Sequence, residues 1–296
     1  MASAKTKTLA ILHTAVFLAG WTGIFGRLIT LGGLPLVWYR MMISLAVLAI
    51  VLALLGKMQK VSRKQFLQIA GCGGILSLHW VFFYASIQAS NVSVGVACIA
   101  TSSFFTTLFN PVVNRKPIQW VEVLISFIAI AGVLLIFSLD VRYRLGIALG
   151  LLSAALYALF ALLNVNAARV TGKDSANMLL YELVGGVLFL TLIMPLFARI
   201  ISPEAVIVPG RADILWLLLL GSIFTILPFL FQLHALRSLS AFTVSLTYNL
   251  EPLYSIAFAA ILFGEQREVG WSFWIGMALI IISVIIQTHR VLIKQG

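Results

Sequence analysis

Charged residues are scarce in this chain. Asp, Glu, Lys and Arg make up 10% of its 296 residues, and only nine of them are acidic. A water-soluble domain of this size carries about a quarter charged residues, so a soluble enzyme or binding module is excluded. The two cysteines, Cys72 and Cys98, both fall inside apolar stretches, which argues against a disulfide framework. The four histidines, His13, His79, His234 and His289, lie on four separate segments, without the His-x-x-x-His or Cys-x-x-Cys spacing that holds a metal. A G-x-x-x-x-G-K-S/T phosphate loop and a G-x-S-x-G nucleophile are missing too. The glycine-rich GCGG run, Gly71 to Gly74, sits within an apolar stretch with no strand before it. No cofactor, metal or catalytic residue is expected. Low-complexity tracts are absent, and the longest connection, Arg199 to Arg211, is bounded by Pro203 and Pro209 and is too short to fold alone.

What the chain does have is hydrocarbon, with 61% apolar residues and a mean hydropathy of +1.08. Ten apolar stretches lie near 8–31, 34–56, 65–89, 91–113, 118–138, 144–168, 175–198, 212–236, 239–263 and 269–289. Each reaches the ~20 residues that a helix needs to cross ~30 Å of hydrocarbon. The runs are continuous rather than alternating, which selects helices over a β-barrel. The first run is longer than the core of a cleaved leader and no small-x-small site follows it, so it is kept as a span. The expected fold is an all-α integral membrane protein with ten transmembrane helices.

The net charge of +11 is a matter of topology. With the N-terminus inside, thirteen basic residues fall in cytoplasmic segments: Lys5, Lys7, Lys57, Lys60, Arg63, Lys64, Arg115, Lys116, Arg169, Lys173, Arg237, Arg290 and Lys294. Six, Arg27, Arg142, Arg144, Arg199, Arg211 and Arg267, fall outside, beside five acids. Positive-inside bias then places both termini in the cytoplasm, in a cell's inner membrane. The partners expected are the bilayer and a small-molecule substrate, with no nucleic acid, for a monomer or weak homo-oligomer.

Sliding the chain by 150 residues lays Tyr84–Ser103 on His234–Leu253, so that Ala85, Ser90 and Val94 meet Ala235, Ser240 and Val244. The shared layout is five spans, a hinge near Leu139 to Arg144, and five more. Residues 1–140 and 141–296 form the two repeats. An odd number of spans per repeat makes the second copy enter from the opposite side, the inverted-topology arrangement that puts a site at the midplane between the halves.

Several stretches resemble the drug/metabolite transporter superfamily, and in particular its EamA-type permeases. They are Ala235 through Glu251-Pro252, the FGEQ run from Phe263 to Gln266, LHWVFFYAS from Leu78 to Ser86, and the Tyr39-Arg40 pair. The resemblance covers nearly the whole chain and implies a permease that moves small metabolites outward without a nucleotide. It implies amino acids as the first substrate class, with broad efflux of hydrophobic or cationic compounds second. From another class, a lipid-modifying intramembrane enzyme would need a clustered acid–base or metal constellation, which the sequence lacks. One departure stands out: Thr101-Ser102 occupies the place of Glu251-Pro252 in the first half, so the fourth span lacks the family's proline.

The candidate cavity residues follow from polarity at depth. Glu251 and Pro252 interrupt an otherwise uncharged run from Leu239 to Phe263, about 12 residues into the ninth span, or roughly 18 Å at 1.5 Å per residue. The pair reads either as a helix kink at Pro252 beside a wet cavity, with Tyr248 and Asn249 lining the path and Glu251 a candidate for proton coupling, or as a structural kink with Glu251 satisfied by a neighbouring helix. Arg40 and Glu182 sit at equivalent points of the second and seventh spans. They read either as a charge pair across the repeats or as residues satisfied locally, Arg40 by snorkelling. His79, Trp80, Phe83 and Tyr84 form an aromatic-polar cluster on the third span, with Gln232 and His234 in nearby registers of the eighth. Trp21, Ser102 and Tyr157 complete the set expected to border a substrate held by stacking and cation–π contact.

Overall fold

Hydrocarbon offers a backbone amide no partner outside its own chain, so apolar stretches of this length must fold as helices. The computed structural model describes residues 2–137, 144–201, 204–263 and 271–293. Thirteen α-helices run through them: α1 (Ala2–Ala19), α2 (Thr22–Leu28), α3 (Gly33–Leu54), α4 (Arg63–Ala89), α5 (Val92–Ile99), α6 (Ser102–Asn114), α7 (Trp120–Phe137), α8 (Arg144–Thr171), α9 (Ser175–Leu196), α10 (Arg211–Leu236), α11 (Ala241–Thr247), α12 (Glu251–Phe263) and α13 (Trp271–Ile293). Among the described residues seven segments are long and apolar enough to cross a membrane, two of them the pairs α1–α2 and α5–α6; shorter apolar helices lie at Trp120–Leu135, Glu251–Phe263 and Trp274–Ser283. The hinge near 139–144, apart from Arg144, and the FGEQ run beyond Phe263 lie outside the described residues.

Local chemistry fixes where the rods stop. Ser62 and Gln65 form a reciprocal capping box at the start of α4, and Asp174 caps α9 by accepting from the Asn177 amide at 2.8 Å. The α4–α5 and α10–α11 turns are closed alike, by Asn91 on the Val94 amide (2.8 Å) and by Ser240 on the Thr243 amide (3.1 Å). Gly56 and Gly172, both at φ +63°, end α3 and α8 in the left-handed conformation that only glycine takes without strain.

Three rods are broken mid-length. α1 passes to α2 at Gly20–Trp21, α5 to α6 at Ala100–Thr101, and α11 to α12 through a 3-10 turn at Tyr248–Leu250. Pro252 is the second residue of α12, where its missing N–H falls among donors that a first turn leaves unpaired in any case. The α5–α6 break, about 150 positions earlier, needs no proline. There the Thr101 hydroxyl donates to the Cys98 carbonyl at 2.7 Å and Ser103 to the Ala100 carbonyl at 3.3 Å, taking backbone acceptors that a continuous helix would use.

Lipid tails are as apolar as leucine, so rods associate through close fit rather than water exclusion. Glycines supply that fit. A Cβ on Gly73 of α4 would overlap the Glu182 carbonyl of α9, and one on Gly132 of α7 would lie 2.5 Å from the Gly276 carbonyl of α13. The contacts repeat when each half is exchanged for the other. α4 packs on α8 and α9, and α10 packs on α1 and α3; α3 meets α9, α7 meets α13, and the broken pair α5–α6 meets α11–α12.

Candidate functional site

The three breaks surround one buried spot. Ala19 and Thr22 reach it from α1–α2, Ile99 from α5, and Tyr248 and Glu251 from the α11–α12 break. Arg40 enters from α3, His79, Trp80 and Phe83 from α4, Tyr157 from α8, and Phe224, Pro228, Phe229 and Gln232 from α10. The hollow they enclose is about 40 Å³. That is room for a water molecule, whose share of the liquid is about 30 Å³.

Arg40 is the centre of the site. It is only 3% exposed, so its stem does not snorkel to an interface. Its Nε donates to the Thr225 hydroxyl at 2.7 Å, one terminal nitrogen donates to the Tyr84 hydroxyl at 3.0 Å, and the guanidinium lies 3.9 Å from the Trp80 ring centroid. A planar fork can hydrogen-bond in its plane and stack across it, which lysine cannot do. Its electrostatic counterpart is Glu251, 6% exposed, whose carboxylate is hydrogen-bonded by Thr22. An arginine from the first half and a glutamate from the second thus share one buried pocket.

Around them sits a polar rim with spare capacity. Among the described residues neither the amide nitrogen nor the oxygen of Gln232 has a partner, and the Tyr157 hydroxyl has none. Both side chains are buried, at 1% and 3% exposure. Unsatisfied buried polar atoms are costly, and their convergence on one cavity is the mark of a site completed by a ligand or by ordered water. His79 is held on its Nδ1 side, 2.9 Å from the Ser153 carbonyl and 2.8 Å from its hydroxyl, and its ring lies 5.2 Å from that of Tyr157. Tyr157 is 5.7 Å from Tyr248, and Trp80 meets Phe229 edge-on at 5.1 Å.

Not every residue picked from the sequence converges here. The structure does not bring Arg40 and Glu182 together, and this corrects that pairing. Glu182, fully buried on α9, is turned toward α8, where Asn164 donates to its Oε1, while its Oε2 lacks a partner among the described residues. His234 is exposed, because the face of α10 that carries Gln232 is not the one that carries His234. Trp21 packs beside the cavity, stacked on Phe258 at 4.1 Å, and its neighbour Thr22 does the lining. Ser102 is buried with an unpartnered hydroxyl but lies outside the lining. Tyr84 lies outside the lining and accepts a hydrogen bond from Arg40. The side chain of Asn249 lies outside the described residues. Reasoning from the sequence missed Thr22, Phe224, Thr225, Pro228 and Phe229. Pro228, a proline inside an apolar run, was the available signal.

Paired hydrogen bonds close both ends of the bundle. At one end Gln88, in the last turn of α4, donates to the Leu31 carbonyl at 2.8 Å, and Thr30 donates through its amide and hydroxyl to Asp213 at 2.9 and 2.8 Å. At the other, Arg237 after α10 donates to the Lys173 carbonyl, and Gln65 reaches the Thr171 carbonyl at 3.4 Å. Asp213 and Gln65 are each the third residue of their helices, α10 and α4. The first end also holds a vestibule of about 800 Å³, with Arg27, Gln88, Asn91 and Glu204 in its wall.

A model of the EamA-like transporter family matches residues 6–138 and again 144–288. The chain belongs to that family. It is a multi-pass membrane protein of a transporter family, with one family unit in each half. An uncharacterized transporter of Clostridium kluyveri is 23% identical over 297 aligned positions, which cover 95% of this chain and 93% of the relative. A crystal structure superposes with a TM-score of 0.71 at 15% identity, covering 95% of this chain and 98% of that one. At that identity the likeness shows a shared fold and nothing of the cargo.

Proposed function

We infer that this EamA protein is a ten-span secondary transporter. Its two inverted five-span repeats export small metabolites, amino acids first, across the cytoplasmic membrane by alternating access. The observation that carries the reading is the Arg40–Glu251 pocket. It offers both signs of charge, an uncommitted amide and a phenol, on walls shared with three rods that break at the level of the site. A zwitterion with an apolar side chain matches that chemistry: carboxylate to Arg40, ammonium to Glu251, and side chain among Trp80, Phe83 and Phe229.

The exchange-symmetric packing and the matched closures at the two ends support inverted repeats. A site of about 40 Å³ admits no metabolite, so binding must be preceded by loosening at one end. The vestibule at the Gln88 end is external if the positive-inside bias sets the orientation, and both termini are then cytoplasmic. Aromatic lining also favours a second reading, efflux of hydrophobic cations.

Counterflow in proteoliposomes decides between them. The purified chain is loaded with unlabelled amino acids, nucleosides or organic cations, and uptake of each labelled form is followed with and without a pH gradient. Exchange of amino acids is expected. Exchange of organic cations alone would install the second reading, and exchange of none would remove both. A Glu251→Gln variant that keeps its full response to the gradient would exclude Glu251 from proton coupling.

A further inference from the structure

The broken rod α5–α6 has two different sides. Ile99 lines the central cavity, whereas its neighbours Cys98 and Thr101 line a separate hollow of about 260 Å³ between this rod, α7 and α8. The hollow is several times larger than the central cavity, and its character is the opposite. Its other walls are aliphatic and aromatic, Phe104 and Val133 among them. The two wall residues that carry polar atoms spend them elsewhere: the Thr101 hydroxyl donates to the Cys98 carbonyl at 2.7 Å, and the Cys98 sulfur lies 3.9 Å from the Ile147 carbonyl. Water needs two to four polar partners to occupy a cavity, and an apolar hollow of even ~150 Å³ stays dry and takes up apolar molecules instead.

What can reach it is set by where it opens. Leu134 on α7 and Leu151 on α8 form part of its wall and are 53% and 36% exposed, on helix faces that a membrane-spanning bundle turns to lipid. Thr101 lies about nine residues from the start of its rod at Val92, roughly 14 Å at 1.5 Å per residue, and so at mid-hydrocarbon depth. Headgroups do not come to that depth; acyl chains do.

We propose that this hollow is a binding site for one acyl chain of a bilayer phospholipid, which enters between α7 and α8 and seats against the back of the α5–α6 break. The chain restores van der Waals contacts that the empty hollow withholds from its walls, with no water to displace. Because the same break carries Ile99 into the central cavity, the seated chain braces a segment that has to move when that cavity opens. The site is independent of what the protein carries.

The test uses the full chain in vesicles of phosphatidylcholine bearing a diazirine midway along one acyl chain, irradiated and mapped by peptide mass spectrometry. Adducts are expected on Val133, which at 6% exposure is shielded from lipid sliding over the surface, as well as on openly exposed residues such as Leu192 and Ile261. Leu151→Trp fills the entrance and should reduce the Val133 adducts to the unirradiated level while leaving those at Leu192 unchanged. Ile130→Phe, which fills the hollow from α7, repeats the comparison should the first variant fold poorly. Adducts confined to exposed residues, or Val133 adducts that survive both fillings, would overturn the proposal. The readout requires no transport, so it stands or falls apart from the assigned cargo.

Discussion

Arg40→Met keeps the length of the side chain and removes its charge, and the structure apportions the consequence. Two hydrogen bonds disappear, yet neither partner is stranded: the Thr225 hydroxyl still donates to the Leu220 carbonyl at 2.6 Å, and the Tyr84 hydroxyl to the Thr22 carbonyl at 3.4 Å. The contact with the Trp80 face is lost, worth ~2 kcal/mol when desolvated. Glu251 is left in a pocket that, among the described residues, no other lysine or arginine lines. Stranding one member of a buried, charge-compensated set costs ~3–5 kcal/mol, and release of the desolvated guanidinium returns part of that. The expected net loss is about 3–5 kcal/mol of unfolding free energy. Glu251→Gln alone should cost less, ~1–2 kcal/mol, because Arg40 keeps Thr225, Tyr84 and Trp80. In the double variant the stranded carboxylate is gone, so its cost falls below the sum of the singles by ~2–3 kcal/mol. Reversible unfolding in mixed micelles, run as a double-mutant cycle, measures that term. Additivity within ~0.5 kcal/mol would show that the two residues do not share a field, and the pocket would lose its physical basis.

Two further pairs of substitutions read the packing and the closures. Gly73→Ala sets a methyl group against the Glu182 backbone carbonyl, which has no rotamer to yield, and should cost ~1–3 kcal/mol. Two residues away nothing lies within 4 Å of a Cβ on Gly71, so Gly71→Ala should be neutral or stabilise by up to ~1 kcal/mol; equal effects in thermal unfolding would reject the α4–α9 interface described here. Arg237→Met releases the α10–α11 turn from the Lys173 carbonyl and should speed labelling of Gln232→Cys by a water-soluble maleimide, in a background with Cys72 and Cys98 replaced by alanine. Gln88→Leu should act likewise from the other end, and unchanged rates in both would remove these bonds from gating.

Apolar run length made the helices readable in the sequence, because the bilayer sets one length and one secondary structure for every span. An interruption near the middle of the ninth span was readable for the same reason, since the charge and proline of Glu251-Pro252 stand out against hydrocarbon, and the break itself lies just before them at Tyr248–Leu250. Its counterpart at Ala100–Thr101 was not. The proline on which the resemblance relied is missing there, and the break is carried by hydroxyls on the backbone, a signal spread over ordinary residues. Arg40 was visible as a charge at depth, but the sequence left its partners open between Glu182, its equivalent along the chain, and groups nearby. An arginine takes the groups its own helix face meets, and α3 faces Thr225 of α10 and Tyr84 and Trp80 of α4. His234 failed in the same way, since nearby register does not specify direction around a helix. Position along a rod follows from counting residues, but orientation around it depends on which neighbours pack there. In this bundle those neighbours are selected by glycines such as Gly73, whose interhelical contacts no one-dimensional pattern reveals.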